Sequence, residues 1–107
     1  MSDLNAKWLE LVAAGKAEWV PRMVDQTGWT YDHHPAHRER FRDEAVPNWD
    51  DPATRGALVG QVEARYGGPV SVWYREDGTC ALRVGRFRVW AGLTKAEVLL
   101  RALEAAP

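Results

Sequence analysis

Gly67-Gly68-Pro69-Val70-Ser71-Val72-Trp73-Tyr74-Arg75-Glu76-Asp77-Gly78-Thr79-Cys80-Ala81-Leu82-Arg83-Val84-Gly85 is the stretch that decides the fold. Two runs of β-branched and aromatic residues flank Glu76-Asp77-Gly78-Thr79, a combination that reads as a hairpin, and the paired glycines before Pro69 end whatever helix precedes it. Val70 to Arg75 alternates Val72 and Tyr74 against Trp73 and Arg75. Cys80 to Val84 returns. Gly85 either bulges this strand or turns the chain into a third, Phe87 to Ala91, and the apolar parity switching at the glycine favours the third strand: Leu82 and Val84 before it, Phe87 and Val89 after it.

Helices flank this meander on both sides in sequence. Upstream, Asp51 before Pro52 is a helix start, and the helix runs to about Tyr66. Its expected buried stripe is Ala53, Ala57, Leu58 and Val62, reaching Tyr66, with Gly56 and Gly60 permitting close approach of another element. Downstream, Thr94-Lys95-Ala96-Glu97 is a capping box that opens a helix with Val98, Leu99, Ala102 and Leu103 on its buried face.

The N-terminal part is more irregular. Leu4, Trp8, Leu11 and Val12 recur at helical spacing behind Asp3, and Gly15 stops that helix. Trp19-Val20-Pro21-Arg22-Met23-Val24 reads as an irregular or edge strand, because a central strand does not accept Pro21. Asp25-Gln26-Thr27-Gly28 is a turn into Trp29-Thr30-Tyr31, and residues 33–44 read as a short polar helix with Pro35 in its first turn. The expected class is α+β: one domain over 1–107, a small antiparallel β-meander of two or three strands packed with helices, with an α-β-α sandwich as one arrangement open to it.

With 107 residues the chain has one core and no separate catalytic lobe. Its apolar and charged fractions, 46% and 27%, are those of a globular protein rather than a disordered one. No apolar run reaches the roughly 18 residues of a membrane span, and the first residues lack a signal-peptide pattern, so the expected location is cytoplasmic. Cys80 is the only cysteine, which excludes an internal disulfide and a Cys-x-x-Cys metal or redox site. Residues 1–50 hold six basic and nine acidic side chains, net −3, and residues 51–107 hold eight and six, net +2. A basic excess this small argues against a strong nucleic-acid binder.

The Trp49-to-Leu58 segment, the glycine-bounded strand pair and Leu93-to-Leu103, together with Trp19-Val20-Pro21-Arg22-Met23, resemble small bacteriophage and prophage proteins described as phage α-β-α sandwich domains. The resemblance covers roughly 60 residues, mostly caps and core positions, which certify fold better than function. It implies a mobile-element origin and carries no catalytic residues. The His-rich segment departs from it.

Three constellations bear on function. In Asp32-His33-His34-Pro35-Ala36-His37-Arg38-Glu39, His33 and His37 are four apart, a zinc-compatible spacing that Pro35 disrupts; a solvated helix start is the competing reading. With Val72, Tyr74, Leu82, Val84, Phe87 and Val89 facing the helices, Trp73, Arg75, Arg83, Arg86, Arg88 and Trp90 share the opposite face, where arginine beside tryptophan suits a protein interface or base stacking unless the N-terminal half covers it. Six tryptophans are more than so small a core buries easily, so Trp19, Trp29 and Trp49 on irregular segments are natural contact points.

Enzyme signatures are otherwise missing: no phosphate-cradling glycine loop, no Gly-x-Ser-x-Gly elbow, and acid pairs (Asp50-Asp51, Asp43-Glu44) that capping and solvation explain. The leading expectation is therefore a non-enzymatic phage or mobile-element protein without cofactor. It would bind and inhibit a host protein, in the manner of an anti-CRISPR protein acting on antiviral defence. The alternatives are a nucleic-acid binder on the same sheet face, a small metal-dependent enzyme using His33 and His37, and a homodimer through an uncovered sheet.

Overall fold

The computed structural model describes residues 3–32, 45–85, 88–92 and 94–106, the side chain of Arg88 excepted. Three helices and three strands form there. Helix α1 (Leu4–Ala13) begins at Asp3, whose side chain makes no capping bond, and ends before Gly15, at φ +73°. Helix α2 (Pro52–Tyr66) starts as its sequence dictates: the Asp51 carboxylate accepts from the Thr54 N–H at 2.8 Å and Pro52 occupies the first turn. It ends on Gly67 in the left-handed region, where the N–H of Gly67 reaches the Glu63 carbonyl.

Strands β1 (Val70–Tyr74), β2 (Cys80–Val84) and β3 (Arg88–Gly92) form an antiparallel meander in that order. The first turn is a three-residue hairpin loop closed by the Arg75 N–H on the Thr79 carbonyl at 2.7 Å, with Gly78 at φ +85° in the position only glycine fills cheaply. Helix α3 (Lys95–Ala105) follows, its first turn capped by Thr94 Oγ1 accepting from the Glu97 N–H at 3.1 Å.

The layers follow from which faces are apolar. Helix α3 packs on β2 and β3, α2 lies beside it and reaches β1, and α1 packs on α3 from the far side. Leu82, Cys80, Leu58, Val62, Val98, Leu99 and Leu103 have no exposed surface between these layers. Among the described residues this is the α+β arrangement of a meander packed with helices. No described helix is long and apolar enough to cross a membrane.

Several face assignments differ from the sequence expectation. Val12 is 39% exposed, because α1 is covered only on the side carrying Trp8 and Leu11. On α2 the buried stripe is Thr54, Leu58, Gln61 and Val62; Ala53 is exposed. Gly56 and Gly60 face open space, with nothing within 4 Å of a Cβ built on either.

The two polar members of that stripe hold the irregular segment that follows α1. Residues 18–31 have only isolated bridges, Val24 to Thr30 and Asp25 to Pro47, so most of their backbone finds no ladder partner. Gln61 spans one such residue, accepting from the Glu18 N–H at 3.0 Å and donating to the Glu18 carbonyl at 2.7 Å. Thr54 Oγ1 accepts from the Val24 N–H at 2.9 Å. With its backbone satisfied, the segment can bury Ala17, Trp19 and Met23 against the helices.

The turn at 25–29 is organised by one carboxylate. Asp25 Oδ1 accepts from the Thr27 N–H and hydroxyl at 2.9 and 2.7 Å and from the Trp29 N–H at 2.9 Å. Burial alone would raise the Asp25 carboxyl, but the Thr27 hydroxyl and the backbone N–H groups of Trp29, Thr27 and Gly28 outweigh it and hold it below the usual carboxylate range.

Two outcomes are expected. Gln61→Leu adds apolar surface yet leaves both Glu18 backbone groups unpartnered, so urea denaturation should find it about 2–3 kcal/mol less stable than wild type; no loss would mean that water replaces Gln61 at no cost. Asp25→Asn should cost about 1 kcal/mol at neutral pH. Because the folded carboxyl titrates below its unfolded value, that contribution is complete above the unfolded pKa and disappears as pH falls through the folded one. Denaturation curves of wild type and variant should therefore converge in acid.

Candidate functional site: an open sheet face

The ladder register sorts the sheet into two faces. Val70, Val84 and Arg88 form one row, Val72, Leu82 and Trp90 the next, and Tyr74, Cys80 and Gly92 the third; these ladder positions belong to the face that meets the helices. The other face carries Ser71, Arg83 and Val89, then Trp73, Ala81 and Ala91. Trp73 is 41% and Val89 52% exposed, and Ser71 and Arg83 are exposed beside them, so this face is open at these four positions. Ala81, flanked by Trp73 and Ala91 in its row, is fully buried.

This corrects the expected grouping in β3. Val84 stands opposite Arg88, which leaves three residues, 85–87, in the connection. An odd connection of this length places 88, 90 and 92 in the rows of 84, 82 and 80, and the parity switch expected at Gly85 does not occur. Trp90 therefore lies on the helix side, half-buried, with its ring 5.5 Å from that of Tyr66, and Val89, expected in the core, is exposed. Arg86 and Phe87 lie outside the described residues. Tyr74 has helix-side parity but is 66% exposed at the strand end.

Of the six residues expected on the outer face, Trp73 and Arg83 are there and Arg75 follows them in parity beside the hairpin turn. That turn is rigidified by Asp77, whose carboxylate accepts from the Thr79 hydroxyl at 2.6 Å and N–H at 3.0 Å. These bonds, with Arg75 nearby, hold Asp77 below the ordinary carboxylate range. The resulting surface has an apolar centre, Trp73 and Val89, with arginines beside it.

The tryptophans divide differently from expectation. Trp8 is fully buried and Trp19 nearly so, their rings edge-on at 5.6 Å, and Trp49 is half-buried, edge-on to Trp8 at 6.1 Å. Trp19 is therefore core rather than contact point. Only Trp29 and Trp73 expose more than two fifths of their surface. The Trp8 indole N–H is buried without a hydrogen-bond partner and lies among aromatic rings instead.

The remaining candidates are weaker as sites. The His33–His37 segment lies outside the described residues, as does Asp43-Glu44; among the described residues no three His, Cys, Asp or Glu side chains gather as metal ligands. Asp51 is a helix cap, and Asp50 is exposed next to it. Burial pushes the Cys80 thiol up, with Lys95 opposing in part, which keeps it protonated and poorly nucleophilic. A groove of about 590 Å³ runs along α2 between Gly56, Gly60 and Ala64 and the turn at Pro21-Arg22, where Arg22 adopts φ +83°. Compared with protein-family models, curated proteins and solved structures, the chain matches none.

The open environment of the groove glycines has a measurable consequence. Each leaves an exposed helix interior without a side chain and fills no close contact, so Gly56→Ala and Gly60→Ala should each stabilise the fold by about 1 kcal/mol. Thermal melts showing destabilisation instead would mean that another part of the molecule packs against these two positions.

Proposed function

We propose that this chain is a non-enzymatic binding protein whose open sheet face docks onto another protein. The observation that carries this reading is the exposure of Trp73 and Val89 on a strand face with Arg83 beside them. An aromatic anchor with arginine nearby is the composition of interface centres, where a few residues supply most of the binding energy. Antiparallel strands hold these side chains in fixed rows, so little conformational freedom is lost on docking.

The same face suits nucleic acid less well. A backbone-tracking surface needs a run of cations, whereas the described part of this face offers Arg83 and, at its end, Arg75, in a chain of net charge −1. Trp90, the second stacking platform expected there, lies on the helix side. The resemblance to small phage proteins supports a bacterial host protein as the partner, with inhibition of a defence component as the form this binding would take.

The test is affinity purification of the tagged protein from bacterial lysate with and without nuclease, run in parallel for wild type, Trp73→Ala and Val89→Asp. A stoichiometric, nuclease-resistant protein should co-purify with wild type. Because both side chains are exposed, the variants should keep the wild-type circular dichroism while weakening the partner by about 2 kcal/mol or more, roughly thirtyfold. A partner retained equally by both variants would remove this face from the reading. Loss of all bound material on nuclease treatment would replace it with nucleic-acid binding.

A further inference from the structure

We infer that the cavity where the three described helices begin is a binding site for a small organic phosphate carrying a flat ring. The cavity holds about 260 Å³ and takes its lining from Leu4 of α1, Arg55 in the first turn of α2, and Thr94 and Lys95 at the start of α3. Trp49, Asp50, Tyr74 and Ala96 complete it.

Its charge is unbalanced. Arg55 and Lys95 are both half-buried, and among the described residues neither side chain has a hydrogen-bond or ion-pair partner. Two cations facing one cavity against a single carboxylate leave it net positive, and a bound anion would gain from both. Asp50 is the single carboxylate in the lining, and it is exposed. The neighbouring acids are engaged elsewhere: Asp51 accepts from the N–H and hydroxyl of Thr54, and Glu97 pairs with Arg101 at 3.3 Å. The N-terminal turns of α2 and α3 add partial positive charge on the same side. A guanidinium and an ammonium together match the several oxygens of a phosphate better than a single carboxylate.

The ring specificity comes from the two aromatic walls. Trp49 is fixed in place, its indole N–H donating to Asn5 Oδ1 at 2.8 Å while Trp8 meets it edge-on. Tyr74, 66% exposed on the rim, presents a large apolar surface that the sheet does not use. A preformed wall and an open rim, beside two cations in so small a volume, fit one phosphate carried with one planar group, as in a nucleoside monophosphate.

Isothermal titration with adenosine 5′-monophosphate, inorganic phosphate and adenosine at low ionic strength tests this. The monophosphate should bind saturably at one site, inorganic phosphate more weakly, and adenosine not measurably. Arg55→Gln and Lys95→Gln should each weaken the monophosphate by about tenfold, and Tyr74→Ala should weaken it without changing the affinity for inorganic phosphate. Trp73→Ala should leave all three titrations unaltered, which separates this site from the sheet face. Absence of saturable heat with both the monophosphate and inorganic phosphate, or binding indifferent to both charge substitutions, would overturn the site. Equal affinity for phosphate and the monophosphate would overturn its ring specificity.

Discussion

The irregular segment after α1 is tied to α2 through Gln61. Residues 20–31 close several backbone bonds among themselves, Arg22 to Tyr31, Tyr31 to Met23 and Asp25 to Trp29, but Glu18 stands outside that set, and leaving its peptide groups unpaired against the helices would be costly. The Gln61 amide, like a peptide unit, offers both an N–H donor and a carbonyl acceptor, so it replaces the missing strand for Glu18. Thr54, two turns earlier on the same face, does the same for the Val24 N–H. Between those two clamps Trp19 and Met23 reach the core, and Trp19 supplies one ring of the cluster around Trp8.

The other organising constraint is a count of residues. Three positions separate Val84 from Arg88, and that number alone decides that Trp90 meets Tyr66 on the helix side while Val89 faces outward. One residue more or fewer would reverse both. The sheet edges are treated unequally as well. Arg101, itself paired with Glu97, donates to the Ala91 carbonyl of β3 at 2.6 Å, which occupies a backbone acceptor on one outer strand.

The parts legible in the sequence were those in which a local rule and the global fold agree. Asp51-Pro52, Gly67, Gly78 and Thr94 each serve the cap or turn that their chemistry demands, and these fixed points bound α2, the hairpin and α3. Misreadings occurred where side-chain chemistry gives no local signal. Thr54 and Gln61 look like solvent-facing residues until a backbone arrives to pair with them, so the expected stripe of α2 holds Leu58 and Val62 correctly but includes the exposed Ala53 and omits these two. Val89 suggests an inward position by composition, but ladder register is a matter of loop length, which composition does not encode. Trp19, on a segment without periodicity, resembled a surface residue for the same reason that Gln61 resembled a polar one: each is buried by the other's element. Of the candidate site, Trp73, Arg75 and Arg83 were readable from strand alternation, whereas the partnerless Arg55 and Lys95 became visible only once three helix starts were brought together.

Where the cations of the second half go also bears on what the molecule recognises. Residues 51–107 carry the basic excess, yet two of their arginines serve backbone carbonyls: Arg65 donates to Gly15 at the end of α1 at 2.7 Å, and Arg101 donates to Ala91. Two more cations, Arg55 and Lys95, are withdrawn into the cavity at the helix starts. Arg75 and Arg83 alone are left for the described part of the sheet face. A protein organised to follow a phosphate chain would place such charges in line on one surface. Here they are divided between structural caps, one open-rimmed pocket and the margin of an apolar patch, a distribution that favours a discrete protein contact at the sheet and a discrete small anion at the helix starts.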